Sequence, residues 1–396
     1  MKKRFHQTLV IFLTFLTVVL LMSPSFISSD NVMHASGISE SIPVPPQDDS
    51  SSSQSSAAAS TPSEPADDRE TAYDLVQDQE PVLIQEPSAT GPVVTITISA
   101  AGDVTLGGDE SWGSYKNFMN EFTANDRDFG FTFKNVRHIF AEDDLTVVNF
   151  EGTLTDLKRP REKRFNFRAP PVFAASLVSG NIDVVSLGNN HSNDFFDAGY
   201  HETIEHLDNA GIISFGNERN SIVEVKGINI GFFGFLSWED TREQRDNIVA
   251  AIKDLKVRGA DLIIAYFHWG EEGHYRPNRI QRDLGHFTVD NGADLVLGAH
   301  PHVIQGIEVY KGVNIVYSLA NFSFGGNRWP PDYDTFIFQQ TFTFVNGVLQ
   351  DDNVTNIIPA RESSARHHNN YQPMIAEGPE ADRILAEIKK YSDELN

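Results

Sequence analysis

Seven polar side chains in this sequence stand at or just past the ends of apolar runs of strand length. Asp103 follows residues 98–102, Glu151 follows 147–150, and Asn190 and His191 follow 184–188. His268 follows 263–267, and His300 and His302 follow 295–298. In open α/β sheets the crevice beyond the strand C-termini is where ligands bind. These ends would therefore bring two carboxylates, an amide and four imidazoles to one place. Hard oxygen and borderline nitrogen donors in that mixture suit divalent Mn, Fe or Zn. Taken singly, most of these residues have a plainer role. Asp103 after Gly102 and Asn190 after Asn189 suit turns, and a lone His268 suits a half-buried, hydrogen-bonded imidazole. The segment 298–302, Gly-Ala-His-Pro-His, is harder to reduce, because Pro301 makes His300 and His302 a rigid pair.

The elements that must position these groups alternate along the chain. Strands are predicted at 93–98, 145–150, 182–187, 228–235, 261–267, 294–298 and 314–319, with helices over 197–210, 242–257 and 279–291 between several of them. That alternation marks an α/β domain. Residues 335–344 alternate as an antiparallel strand does, and 381–395 read as a terminal amphipathic helix. The folded domain is placed at 93–360, with a helical extension over 361–396.

Composition bounds the rest. The 396 residues carry 55 acidic against 31 basic side chains, a formal charge of −24, which argues against nucleic acid as a partner. There is no cysteine, so a disulfide framework, a thiolate zinc site and a cysteine nucleophile are all excluded. Lys2, Lys3 and Arg4 precede an apolar run over 9–22 and then Pro24. This reads as a secretory signal within 1–35, or, if uncleaved, as an anchor keeping the chain in contact with a membrane. Residues 36–92, rich in Ser, Pro, Ala and acidic side chains, cannot bury enough apolar surface to offset their conformational entropy, and read as a disordered spacer. The protein is thus expected outside the cytoplasm, secreted or anchored. Lys158, Arg159, Arg161, Lys163, Arg164 and Arg168 form the one basic cluster, soon after Glu151. It reads either as a solvated loop or as a border holding an anion, with Arg164 and Arg168 as candidate substrate-binding residues. Asn149 and Asn321 are candidates for orienting substrate, or serve turns.

The motifs Ala101-Gly102-Asp103, 148–152 (Val-Asn-Phe-Glu-Gly), 188–191 (Gly-Asn-Asn-His) with Asp194, His268-Trp269-Gly270, 298–303 (Gly-Ala-His-Pro-His-Val) and 317–322 (Tyr-Ser-Leu-Ala-Asn-Phe) resemble, in order, those of the CapA (PgsA) capsule-biosynthesis family. That family is similar to calcineurin-like metallophosphoesterases, and the resemblance covers about 95–345. It implies a four-layer αββα sandwich of the metallophosphoesterase type, with two divalent metal ions (Mn, Fe or Zn). Carried over, Asp103 and His302 bind one ion, Asn190, His268 and His300 the other, and Glu151 bridges. His191 becomes the general acid or transition-state donor, and Asp194 its positioning partner. The wider phosphoesterase pattern opens Asp-x-His, whereas this chain has Thr105 there, and its bridging carboxylate is Glu rather than Asp. Three functions follow as expectations. One is support of poly-γ-glutamate capsule synthesis, export or anchoring, with an anionic polymer and membrane capsule-synthesis proteins as partners. The second is a metal-dependent hydrolase acting on a cell-envelope phosphate ester. The third is a non-catalytic polymer-binding or assembly module.

Overall fold

A computed structural model describes residues 91–395. The leader expected over 1–35 and nearly all of the spacer expected over 36–92 lie outside the described residues. Among the described residues no helix is long and apolar enough to cross a membrane.

Two sheets form the frame. In the first, the strands Val93–Thr105, Leu145–Phe150, Val184–Ser186 and Ile213–Phe215 run parallel, and Asp334–Val345 and Val354–Arg361 continue it antiparallel beyond the first of them. In the second, Ile228–Ser237, Leu262–Trp269, Leu295–Ala299 and Val313–Val316 are parallel, with Ser221–Val225 and Ile307–Tyr310 antiparallel at the two edges. The parallel strands read as continuous apolar runs because both of their faces are covered.

Side chains alternate between the two faces of each strand, which divides the core into layers. Ile98, Val147, Ile230, Ile264 and Leu297 fill the space between the sheets. Their neighbours Val148 and Val185 point the other way, toward Phe118, Leu177 and Leu207 on the helices Ser114–Ala124, Ala174–Ser179 and Phe196–Ala210. On the far side Ile263 and Val296 pack on Ile252, Leu255 and Leu284 from the helices Arg242–Val257 and Arg279–Asp290. The result is the expected four-layer αββα sandwich.

Two boundaries differ from expectation for a stated reason. The first strand runs on from 98 to Thr105, because its C-terminal end pairs on one side with Leu145–Phe150 and on the other with Asn321–Phe324. The run expected at 314–319 stops as a strand at Val316 in the second sheet, and the chain then crosses to the first sheet, with Ala320 at a φ of 59°. The terminal helix spans Gly378–Asp393 and is no mere appendage. Ile384, Ile388 and Tyr391 close one end of the core between the sheets.

Candidate functional site

Both sheets deliver ligand-type side chains to the same end of the sandwich. Asp103 is held first by its backbone, whose N–H donates to the carbonyl of Ala320 at 2.9 Å. Its carboxylate accepts from Asn149 Nδ2 at 2.7 Å and from the His300 backbone N–H at 3.3 Å, and lies 3.1 Å from His302 Nδ1. Glu151, one residue past its strand, places Oε1 3.5 Å from His268 Nε2 and 3.8 Å from His191 Nε2. Thr105, where the wider pattern has a histidine, donates its hydroxyl to the Glu151 carbonyl at 2.7 Å. It braces a candidate ligand rather than supplying one. His300 and His302 both have positive φ, 95° and 55°; for residues with a Cβ this is strained backbone of the kind found at functional sites.

The geometry divides the donors into overlapping groups. Glu151, His268 and His300 offer atoms within 4.8 Å of one another, and so do Asp103, Glu151 and His302. Glu151 is common to both, the place a bridging carboxylate occupies. Four buried atoms among the candidate ligands lack a hydrogen-bond partner among the described residues: Glu151 Oε2, Asn190 Oδ1, His268 Nε2 and His300 Nδ1. Buried polar atoms are nearly always partnered, and these four are the lone-pair atoms that a divalent cation would satisfy. The donor set is compatible with divalent metal binding.

The electrostatics point the same way. Burial, reinforced by the Asp103 charge, pushes the Glu151 carboxyl well above the usual carboxylate range. Burial and the neighbouring imidazoles hold His268 well below its ordinary value, and His300 falls to about 3 for the same reasons. Desolvation would also lower His302, but its bond to Asp103 and the Glu151 charge overcome this and lift it to about 10. Asp103 and Glu151 thus favour a proton on His302 when no metal is bound, a task that a bound cation would take over.

His191 stands beside this cluster. Its ring is stacked on Phe167 at 4.1 Å between centroids, and Nδ1 meets Asp194 Oδ2 at 2.7 Å. Burial lowers its pKa against the opposing pull of Asp194. Asn149 lies behind the cluster rather than facing outward, bonding Asp103 and approaching His268 Nδ1 at 3.2 Å. Asn149→Ala is therefore expected to weaken Mn²⁺ binding about 10–100-fold, the usual cost of losing a group that orients ligands. Calorimetric titration reads this directly, and unchanged affinity would show that Asp103 and His268 stay in place without it. Asn321 accepts from His302 Nδ1 through Oδ1 at 2.8 Å, so that ring nitrogen is shared between Asn321 and Asp103.

The two arginines chosen for anion binding are turned elsewhere. Arg168 is buried, paired with Glu110 and lying 5.0 Å from the Tyr115 ring centroid; Arg164 lies 4.9 Å from that of Phe165. Both have found local partners, which is why neither reaches the cluster. From the same basic segment it is Lys163 that does, with Nζ 2.6 Å from Asp194 Oδ1, 2.8 Å from the Asn190 carbonyl and 3.2 Å from His191 Nδ1. Two further neighbours escaped the sequence reading. Trp238 lies 4.4 Å from His300, ring to ring, and Glu272 offers an oxygen to a group with His300 and His302. Each lies just beyond a strand of the second sheet, so the strand-end rule applied to every strand would have found them.

Fold and site together define an α/β sandwich protein with a buried His–carboxylate cluster suited to divalent metals at its strand ends. The model of the family described as bacterial capsule synthesis protein PGA_cap matches residues 97–326, and the chain belongs to that family. It is 28% identical over 253 residues to the PGA biosynthesis protein CapA of Bacillus subtilis (strain 168), a match covering 59% of this chain and 65% of that one. It is 27% identical over 287 residues to the capsule biosynthesis protein CapA of Bacillus anthracis, covering 65% and 67%. The chain thus spans about two thirds of the length of these relatives. A solved structure of a hypothetical protein from Thermus thermophilus is similar with a TM-score of 0.39 at 16% identity, over 67% of this chain and 98% of that one.

Proposed function

We propose that this protein supports the synthesis, export or anchoring of a poly-γ-glutamate capsule outside the cytoplasmic membrane, acting through hydrolytic chemistry at a two-metal centre. The observation that carries the chemistry is the set of four buried, unpartnered donor atoms on Glu151, Asn190, His268 and His300. Membership of the capsule-synthesis family supports the setting, as do the apolar run at 9–22 and the acidic balance of the chain. The partners this reading requires are an anionic polymer or a phosphate ester and the membrane proteins of capsule synthesis.

Two divalent ions at such a site supply Lewis acidity and a water acidified for attack in an in-line displacement. The chain's own residues do the rest. Asp103, Asn190, His268, His300 and His302 would hold the ions, together with Glu151, which both donor groups share. His191 presents Nε2 toward the cluster while its Nδ1–H donates to Asp194, whose other oxygen pairs with Lys163, so Nε2 is the atom at which a proton would be held or passed to the leaving oxygen. His191→Ala is expected to lower hydrolysis of bis(p-nitrophenyl) phosphate by about 10²–10⁴-fold and to leave Mn²⁺ content unchanged by elemental analysis. If the purified full chain binds neither Mn²⁺, Fe²⁺ nor Zn²⁺, and gains no stability from them, the metal-centre reading is wrong.

A second reading, hydrolysis of a cell-envelope phosphate ester, draws on the same His191–Asp194 pair. Turnover of phosphodiesters with no effect of the protein on polyglutamate would favour it.

A further inference from the structure

A cleft of about 540 Å³ opens onto the cluster at His191, His302 and Asn321, within the roughly 300–1,000 Å³ of small-molecule sites. Its walls are aromatic. On one side Trp112, Phe165 and Phe167 form a file, with centroids 5.4 Å and then 6.3 Å apart, that ends on the stacked His191 ring. Trp329 and the two prolines that follow it line the cleft as well. Trp112 and Trp329 are 63% and 66% exposed, an unusual state for the largest apolar side chain. Trp112 is nevertheless fixed in place, because its Nε1 donates to the Arg164 carbonyl at 2.8 Å.

The walls of the cleft carry little charge. Apart from the two histidines, the charged residues lining the cleft are Glu272 and Arg328, and Arg328 already bonds Glu121 at 3.2 Å. A chain of carboxylates needs unpaired cations along its path. Neutral amides from Asn117, Asn321 and Asn327 share the lining with the aromatic rings instead. Exposed aromatic rings and amides in one cleft match a pyranose, whose C–H faces rest on the negative face of an aromatic ring while its hydroxyls take up the amides.

We infer that this cleft binds a pyranose bearing a phosphate ester, with the sugar between Trp112 and Trp329 and the phosphate at the metal cluster. The phosphate end rests on the proposed metal centre, whereas the sugar end rests on the walls alone. The full chain equilibrated with Mn²⁺ would be titrated with N-acetylglucosamine 1-phosphate, its methyl phosphodiester, inorganic phosphate and tri-γ-glutamate, following tryptophan fluorescence and heat. One or both sugar phosphates should bind about tenfold or more tighter than inorganic phosphate, since a stacked ring contributes about that factor. The advantage should vanish in Trp112→Ala and Trp329→Ala, with inorganic phosphate bound as before. The monoester binding tighter would mark a chain end as the ligand, and the diester a linkage within a glycan. Equal affinity for inorganic phosphate and both sugar phosphates, or displacement of them by tri-γ-glutamate at lower concentration, would overturn the inference and leave the metal centre standing. If inorganic phosphate does not bind at all, the metal centre fails instead. The inference is then decided by methyl N-acetylglucosaminide: a fluorescence change lost in Trp112→Ala upholds a sugar site, and no change removes it.

Discussion

Glu151→Gln should give a chain that, free of metal, is at least as stable as the parent, yet gains nothing comparable from Mn²⁺. The parent carries a carboxylate buried to 1% exposure, with one oxygen unpartnered and its pKa pushed well up by burial and Asp103. Such a group disfavours folding unless something satisfies it, and the neutral amide removes the charge at nearly constant volume. With Mn²⁺ at 100 times its dissociation constant the parent should gain about 2.7 kcal/mol, seen as a rise in Tm; the variant should lose most of that increment because the carboxylate shared by both donor groups is gone. Thermal unfolding with EDTA and with Mn²⁺ checks both signs, and a variant that keeps the full increment would exclude Glu151 from the metal site. The parent's pH dependence follows from His302. Its folded pKa of about 10 lies above the ordinary 6.5, so its contribution is fully present below pH 6.5 and is lost as pH rises toward 10. His268 and His300 are shifted downward, so above pH 6.5 they are neutral in both folded and unfolded chains and add no slope. Metal-free stability should therefore decline over that window, while the Mn²⁺ increment grows as protons cease to compete for the ligands.

Gly102→Ala should be among the most damaging substitutions of a single methyl group. A Cβ there would lie 1.8 Å from the Ala320 carbonyl oxygen and 2.9 Å from that of Leu319. Both obstacles are backbone, and the first accepts the Asp103 N–H. Neither can rotate aside, so the strand pairing that places Asn321 beside Asp103 must open. Overpacking of this kind costs about 1–3 kcal/mol, and the lost hydrogen bond about 1 kcal/mol more. Mn²⁺ affinity should fall with it, since Asp103 moves. Gly211→Ala is the control: its φ of 78° strains a Cβ, but nothing lies within 4 Å. That change should cost about 1–2 kcal/mol and leave metal binding intact. Urea unfolding of both variants separates the two mechanisms, and equal losses would count against the close approach at Gly102.

How far the sequence foretold this molecule depended on how locally each feature is encoded. The parallel strands were legible because burial on both faces writes an uninterrupted apolar run, and the positions just past those runs led directly to Asp103, Glu151, His268, His300 and His302. The far end of the first strand was not legible. Ser99, Ala100 and Ala101 have no β-branched signature, and what extends the strand there is pairing with residues more than 200 positions away. The crossing at 317–320 was hidden for a similar reason, since an apolar run does not say which of two sheets it joins. Arg164 and Arg168 were singled out from the basic cluster in sequence and Lys163 was not, whereas the placement of Glu110, Tyr115 and Asp194 brings Lys163 to His191 and pairs Arg168 elsewhere.

The cluster unites residues from 103 to 302, and Glu151 from one sheet meets His268 and His300 from the other. A chain still lacking its second half, or not yet folded, has no such constellation to offer. Any ion the protein carries must therefore be acquired as the sheets close, or after. Divalent metals differ in intrinsic affinity in an order that a nitrogen and oxygen donor set does little to alter. The identity of any ion bound there would then depend on which metals are present where and when folding finishes, so the same chain matured in two different surroundings should emerge with two different metals.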